Sequence, residues 1–282
     1  MAAVHTVIFD YSGTLSLDAV TFGRSERLMV ELAASGLAGL GVQSTDFFWN
    51  EIVGPTWHEG STTSIGYRRV LEKRLQELFH ISPDSKSHGV MKSAVSRFVA
   101  RYFESCRIDP RWLPLLSRLN EDPAIKVVIA TDHYREATNT IIKELAGLHI
   151  GASALNDVES LCMIPTFFVA NSADLGVYKH DRRFWEIVAS KLSDVKEKRV
   201  ILIDDFGHNE ASGARYGISH IIKKREKDTT AALESVVGSS LVVLPFLLTV
   251  TDACCGEDKA ADMLIGTIIE QINGMHRTRH GA

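Results

Sequence analysis

The chain has 282 residues, enough for one large α/β domain or a core with a smaller companion, and its 45% hydrophobic and 23% charged content is that of a folded globular protein. That balance excludes wholesale disorder and fibrous classes. A formal charge of −4, from 31 basic and 35 acidic side chains, supplies no overall basic field, so nucleic acid is not an expected partner.

The first element is the β-branched run Val4-His5-Thr6-Val7-Ile8-Phe9, which ends at Asp10 and meets the turn formers Ser12-Gly13. This is the pattern of a buried parallel strand, and no signal-peptide core precedes it. From Leu15 to about Asn120 the strand signal gives way to helical periodicity over Arg24–Ser35, Ser64–Phe79, Ser85–Cys106 and Arg111–Leu119. Apolar residues at Tyr67, Val70, Leu71, Leu75 and Leu78 mark one buried helix face.

Strand-like runs return at Ile125–Ala130, Thr166–Val169, Val200–Ile203 and Ser219–Ile222, most of them separated by amphipathic stretches. The alternation predicts a doubly wound parallel α/β sheet with helices on both faces. A helix is expected over Gly207–Tyr216, and a last one near Asp258–Asn273 after a turn at Ala253-Cys254-Cys255-Gly256. The longest apolar run, Leu241–Val250, contains Pro245 and is about half the length of a membrane helix, so no membrane partner is expected. Cys106, Cys162, Cys254 and Cys255 lack zinc spacing and are too sparse to staple the chain, which points to a reducing, cytoplasmic compartment. The basic stretches Lys223-Lys224-Arg225 and His276–His280 read as a solvated face and a frayed end.

Open parallel sheets gather ligands at the carboxyl ends of their strands. Those ends carry Asp10-Tyr11-Ser12-Gly13-Thr14-Leu15, Thr131-Asp132-His133 and Asp204-Asp205, with Lys179 in the segment after the third run. A strand-end carboxylate facing a metal ion and a lysine can attack phosphorus and form an aspartyl-phosphate that water then hydrolyses. Magnesium takes oxygen ligands, and two adjacent acids after an apolar run repel each other without a cation. Taken singly, Asp10 is a turn residue, Thr131 a cap before the helix at Arg135, and Lys179 a loop lysine. Their joint order points to chemistry.

Asp10-Tyr11-Ser12-Gly13-Thr14-Leu15 resembles the first motif, DxDGTL, of the haloacid dehalogenase-like superfamily. Val127–Thr131 resembles its second motif, Leu175–Lys179 with Phe184 its third, and Val200–Asp205 with Gly213-Ala214-Arg215 and Gly217 its fourth. The resemblance spans roughly Val4–Ile222 and implies a Rossmann-like core of residues 1–15 and 121–282 with a helical cap of residues 16–120. It further implies a magnesium-dependent hydrolase of a small phosphorylated metabolite. In that scheme Asp10 is nucleophile and metal ligand, the Ser12 carbonyl and Asp205 are further ligands, and Asp204 acts through water. Thr131 and Lys179 bind phosphoryl oxygens, and Ser12, Gly13, Asp132 and His133 complete the expected substrate-binding set.

One position departs from the pattern: Ser12 stands where typical phosphatases of the family carry a second Asp that protonates the leaving group. A hydroxyl is a poor general acid, and losing such catalysis costs about 10²–10⁴-fold. Three readings follow. The leaving group needs no proton, as with acyl phosphates or phosphonates; another residue such as His133 supplies it; or the chain is a regulatory protein that keeps the metal and ligand site with little turnover. The phosphonate-cleaving branch has Ala at this position and a cap lysine, for which Lys73, Lys86 and Lys92 are candidates. The dehalogenase branch has an aromatic residue there and works without metal, against the paired Asp204-Asp205. Trp49, Trp57, His58 and Tyr67 are candidate pocket residues of the cap, and Glu210, beside His208 and Asn209, is expected to support the metal shell.

Overall fold

A computed structural model of the chain describes residues 4–160, 165–192, 199–210, 218–248 and 257–277. Six strands form one sheet: β1 (Val4–Phe9), β2 (Lys126–Thr131), β3 (Ala152–Ala154), β4 (Phe167–Asn171), β5 (Arg199–Asp204) and β6 (Leu241–Pro245). Their order is β3-β4-β2-β1-β5-β6, and every pairing is parallel. The expected doubly wound α/β sheet is therefore present.

Side chains alternate along each strand and feed two separate cores. Val7, Phe9, Val127, Ile129, Ile201 and Ile203 face α7 (Leu113–Glu121), α8 (Glu136–Gly147) and α12 (Glu257–Arg277). Ile8, Val128, Ala130, Val200 and Leu202 face α10 (Arg182–Lys191) and α11 (Ser219–Val237). Burial on both faces explains why these strands read as continuous apolar runs rather than as alternating ones.

Between β1 and α7 the chain folds into a helical layer: α1 (Leu17–Phe22), α2 (Ser25–Ser35), α3 (Thr45–Phe47), a π-helical turn at Phe48–Val53, α4 (Gly54–Thr62), α5 (Tyr67–Phe79) and α6 (Lys86–Ser105). These helices share an aromatic core of their own, built on Phe22, Phe48, Tyr67 and Phe98. On α5 the buried residues are Tyr67, Val70, Leu71 and Leu75, the face that the periodicity marks. Several bonds seat the layer on the sheet domain, among them the Ser172 hydroxyl donating to the Ser61 carbonyl at 2.6 Å and the Tyr67 N–H to Glu136 Oε2 at 2.9 Å.

Three sequence expectations change. Ser219–Ile222 is not a strand but the first turn of α11, where Ile222, Thr229, Leu233 and Val237 share a buried face at helical spacing. Two adjacent isoleucines before a polar stretch resemble a short strand until the whole nineteen-residue element is considered. Gly207 to Glu210 form turns rather than the start of a helix; the rest of Gly207–Tyr216 lies outside the described residues, as do Gly213-Ala214-Arg215, Gly217, Cys162 and the Cys254-Cys255 turn. Finally, the helix read within the inserted segment, α7, places Leu115, Leu116 and Leu119 in the sheet's core and not in the helical layer's. Among the described residues no helix is long and apolar enough to cross a membrane.

Trp112, just before α7, locks this arrangement. It is fully buried, meets Phe9 edge-on at 5.6 Å and Phe246 at 5.5 Å, and its indole N–H donates to the Thr14 carbonyl at 2.9 Å. Trp112→Ala is expected to cost about 3–5 kcal/mol, the usual penalty for emptying an aromatic site plus an orphaned carbonyl. Urea unfolding checks this; an unchanged midpoint would contradict the packing role.

Candidate active site

The chain runs outward from β1 through β2 to β3 and β4, then returns to the opposite side of β1 with β5. Loops leaving β1 and β5 therefore diverge, and a crevice opens at their carboxyl ends. Asp10 follows β1, and Asp204 and Asp205 close β5; the Asp10 N–H continues the ladder to the Ile203 carbonyl at 2.8 Å.

Several bonds sew the two loops together. The Asp205 N–H donates to the Thr14 hydroxyl at 3.0 Å. The Asn209 side-chain amide donates to the Gly13 carbonyl at 2.8 Å and to the Phe246 carbonyl at 2.9 Å, while its backbone N–H donates to Asp205 Oδ2 at 2.9 Å. Gly13 has φ +83°, and an added Cβ would lie 2.5 Å from Asp205 Oδ2. Only glycine fits there, on both counts.

Lys179 comes from the loop after the short helix α9 (Ser172–Leu175), whose backbone is pinned at one residue from two sides. The Lys179 N–H donates to Asp132 Oδ1 at 2.9 Å, and the Trp185 indole donates to the Lys179 carbonyl at 2.7 Å. The ammonium then bridges Asp10 Oδ1 at 2.5 Å and Asp204 Oδ2 at 2.8 Å. All four charged side chains of the cluster, Asp10, Lys179, Asp204 and Asp205, are buried.

Burial dominates the electrostatics. It pushes the Asp10 carboxyl up to about 7, Lys179 opposing and Asp204 adding to the rise. Burial, with Asp10 and Asp204 beside it, raises Asp205 well above the usual carboxylate range, and burial raises Asp132. For Lys179 burial works against the charge, but Asp10, Asp204 and Asp132 outweigh it and hold the ammonium firmly protonated. One cation thus faces an excess of carboxylates. Asp10, Asp204 and Asp205 each present an oxygen within 4.8 Å of the others, a donor set of hard oxygens suited to magnesium. Asp204 already has both oxygens engaged, by Lys179 and by the Phe206 N–H at 2.7 Å, whereas among the described residues nothing bonds Asp205 Oδ1.

The cluster forms the floor of a cavity of about 120 Å³ that extends beneath the helical layer. Ser12, Thr131, Asp132 and His133 line it with the charged residues, and Trp49, Trp57 and Tyr67 line it from the helices. His58 does not; it is exposed, with Nδ1 3.3 Å from the Tyr178 hydroxyl. Gly13 contacts Asp205 instead of the cavity. The Ser12 hydroxyl is buried without a hydrogen-bond partner. Glu210 is on the wall, and burial raises its carboxyl. Arg225 is there too, its Nη1 donating to the Phe206 carbonyl at 3.0 Å, which the reading of its basic stretch as solvated surface did not foresee.

His133 is poorly suited to donate a proton. The Tyr134 N–H donates to its Nδ1 at 2.8 Å, so the neutral ring carries its hydrogen on Nε2 and gives it to the Tyr102 hydroxyl at 2.9 Å. Burial lowers its pKa to about 4.

No family model matches the chain, and no curated protein does. Among solved structures, a 2-haloacid dehalogenase from Pseudomonas syringae pv. Tomato DC3000 is similar with a TM-score of 0.47 at 18% identity, over 76% of this chain and 83% of that one. CbbY from Rhodobacter sphaeroides, solved in complex with phosphate, gives 0.41 at 15% identity over 92% and 96%. A predicted HAD-like family hydrolase from Porphyromonas gingivalis gives 0.40 at 12% over 81% and 89%. The likeness is one of fold, and the chemistry has to come from this chain's own residues.

The buried neutral state of His133 has a measurable consequence. Its folded pKa lies below the ordinary value of 6.5, so its contribution to stability is complete above about pH 6.5 and is lost as pH falls toward 4. A His133→Gln variant is expected to lack that component, worth about 2 kcal/mol between about pH 6.5 and about pH 5. Urea unfolding of both proteins across this window tests it; identical pH slopes would show that His133 ionises normally.

Proposed function

We propose that the chain is a hydrolase of the haloacid dehalogenase-like superfamily that cleaves a small phosphorylated substrate, with Asp10 as nucleophile and magnesium as cofactor. The observation that carries this reading is the buried Lys179 ammonium spanning Asp10 and Asp204, with Asp205 beside them, at the floor of a cavity. We assign α1–α6 to a cap over that cavity and the sheet with its flanking helices to the core.

Lys179 holds one oxygen of Asp10, which orients the carboxylate and leaves the other as the attacking atom. The attack forms an aspartyl-phosphate while the electron pair of the broken P–O bond stays with the leaving oxygen; water then hydrolyses the acyl phosphate and restores the carboxylate. Lys179 and Thr131, which both line the cavity, would hold the phosphoryl oxygens. Asp10, Asp205 and the Ser12 carbonyl would hold the magnesium ion, and Asp204, with both oxygens occupied, would reach it through water. When bound, the ion would offset carboxylate charge and polarise the phosphoryl group.

Neither Ser12 nor neutral His133 supplies a strong acid, which favours leaving groups that depart as stable anions. Among the described residues a Schiff-base route to C–P cleavage finds no cap amine: Lys73 bonds Glu59 at 3.0 Å on the surface, Lys92 lies in an outer groove, and neither they nor Lys86 line the cavity. The free, buried Cys106 accords with a reducing, cytoplasmic setting.

Asp10→Asn is expected to lower turnover of any phosphate ester by at least about 10³-fold with the fold retained, since it removes the attacking oxygen. Phosphate release assays with circular dichroism check this, and full activity would sink the covalent route. In a magnesium titration, Asp205→Ala should weaken binding at least about tenfold more than Asp204→Ala. Equal or reversed losses would overturn the assignment of inner and outer ligands.

A further inference from the structure

We infer that the body of the substrate is a single aromatic ring, held by the cap side of the cavity while its phosphate meets Asp10. The phosphate end rests on the function proposed above; the ring rests on the wall.

The cap lines the cavity with residues such as Phe22, Phe48, Trp49, Val53, Trp57 and Phe98. Among the described residues it contributes no acid, base, amide or aliphatic hydroxyl, and its polar side-chain atoms are the Tyr67 and Tyr102 hydroxyls and the indole N–H groups of Trp49 and Trp57, all carried on aromatic bodies. A sugar or polyol phosphate carries more hydroxyls than these few groups can pair, at about 1–3 kcal/mol for each one left over. An aromatic ring loses nothing there. The volume favours a small body: about 120 Å³, part of it over the charged floor, is of the order of the roughly 150 Å³ of an apolar void that accepts benzene. The wall's rings also meet one another edge to face, Phe22 with Phe98 at 5.6 Å and 71° and Phe48 with Trp49 at 5.3 Å and 74°, the arrangement into which a further ring fits.

Two further observations point the same way. Tyr134, on the core side of the cavity, stacks face to face on Tyr67 with ring centroids 3.9 Å apart, so the aromatic lining continues from the cap onto the core. Ser12 cannot protonate a departing alkoxide, whereas an aryl oxygen leaves as a phenolate: the P–O bond breaks, the electron pair stays on that oxygen, and water later protonates it. Wall and chemistry select the same substrate class from different atoms.

The test uses the full chain with magnesium and two non-hydrolysable probes, phenylphosphonate and methylphosphonate, with binding measured by calorimetry and by the fluorescence of Trp49 and Trp57. Phenylphosphonate is expected to bind at least about thirtyfold more tightly, from burial of the ring. Trp57→Ala, at a partly exposed position, and Val53→Trp, which fills the void, should each reduce that ratio about tenfold. Equal affinities in the wild type, or a ratio untouched by both variants, would overturn the inference and leave the void as a packing gap. Tight phenylphosphonate binding without hydrolysis of phenyl phosphate would uphold the ring site and remove the proposed activity instead. If neither phosphonate binds, phenol alone decides: quenching of tryptophan fluorescence that Trp57→Ala weakens supports the ring site, and its absence ends it.

Discussion

A single ammonium restrains carboxylates that would otherwise repel one another. Lys179 lies 2.5 Å from Asp10 and 2.8 Å from Asp204, all three sheltered from solvent, and Asp205 adds a further buried acid with no ammonium of its own. In such a place an ion pair is no cheap source of stability: taking the charges out of water offsets their attraction, and removing one partner leaves an uncompensated charge that costs about 3–5 kcal/mol. The fold therefore anchors the lysine by its backbone, through Asp132 on one side and Trp185 on the other. What these contacts secure is position. Asp10, Lys179 and the acids are held in place without a ligand, so the attack proposed for Asp10 would need little reorganisation.

The sheet supplies the rest of the constraint. Because β1 and β5 are neighbours and their following loops part, Asp10 and the Asp204-Asp205 pair converge although almost two hundred residues separate them. Asn209 then fixes the depth of the crevice by joining the Gly13 carbonyl, the Phe246 carbonyl and Asp205. It is a positioning residue that touches both loops, and its amide pattern cannot be met by Asp or Leu without orphaning a buried carbonyl.

Much of this was legible in the chain. Each strand that bears a site residue is a continuous apolar run ending in a polar group, a pattern that survives without knowledge of the partners. β3 was not legible, because Ala152-Ser153-Ala154 carries no apolar signal, and β6 was hidden in a run read only for its length. α11 was misread at its start because four residues cannot distinguish a strand from a helix face. The cavity wall was the deepest gap. Phe22, Phe48 and Phe98 sit at ordinary helical spacing, and periodicity does not reveal whether a buried ring meets another side chain or an empty space. Arg225 was missed for the opposite reason: a charge within a basic stretch reads as solvated unless the turn at Phe206 and Gly207 is known to reach it.

The apolar roof and the charged floor are not independent features. An aromatic wall over the carboxylates adds to their shelter from water, and burial is what drives the Asp10 carboxyl up to about 7, against the pull of Lys179. A carboxyl raised in this way is protonated more readily than a free one, so an apolar cavity directly above Asp10 would weaken the attack proposed for it. The penalty disappears only if further positive charge joins Lys179, and the three oxygens within 4.8 Å of one another are where it would be accommodated. On the proposed function, selectivity for an apolar body and dependence on a dication would be two consequences of one geometric choice. A polar, well-hydrated pocket would relax both together.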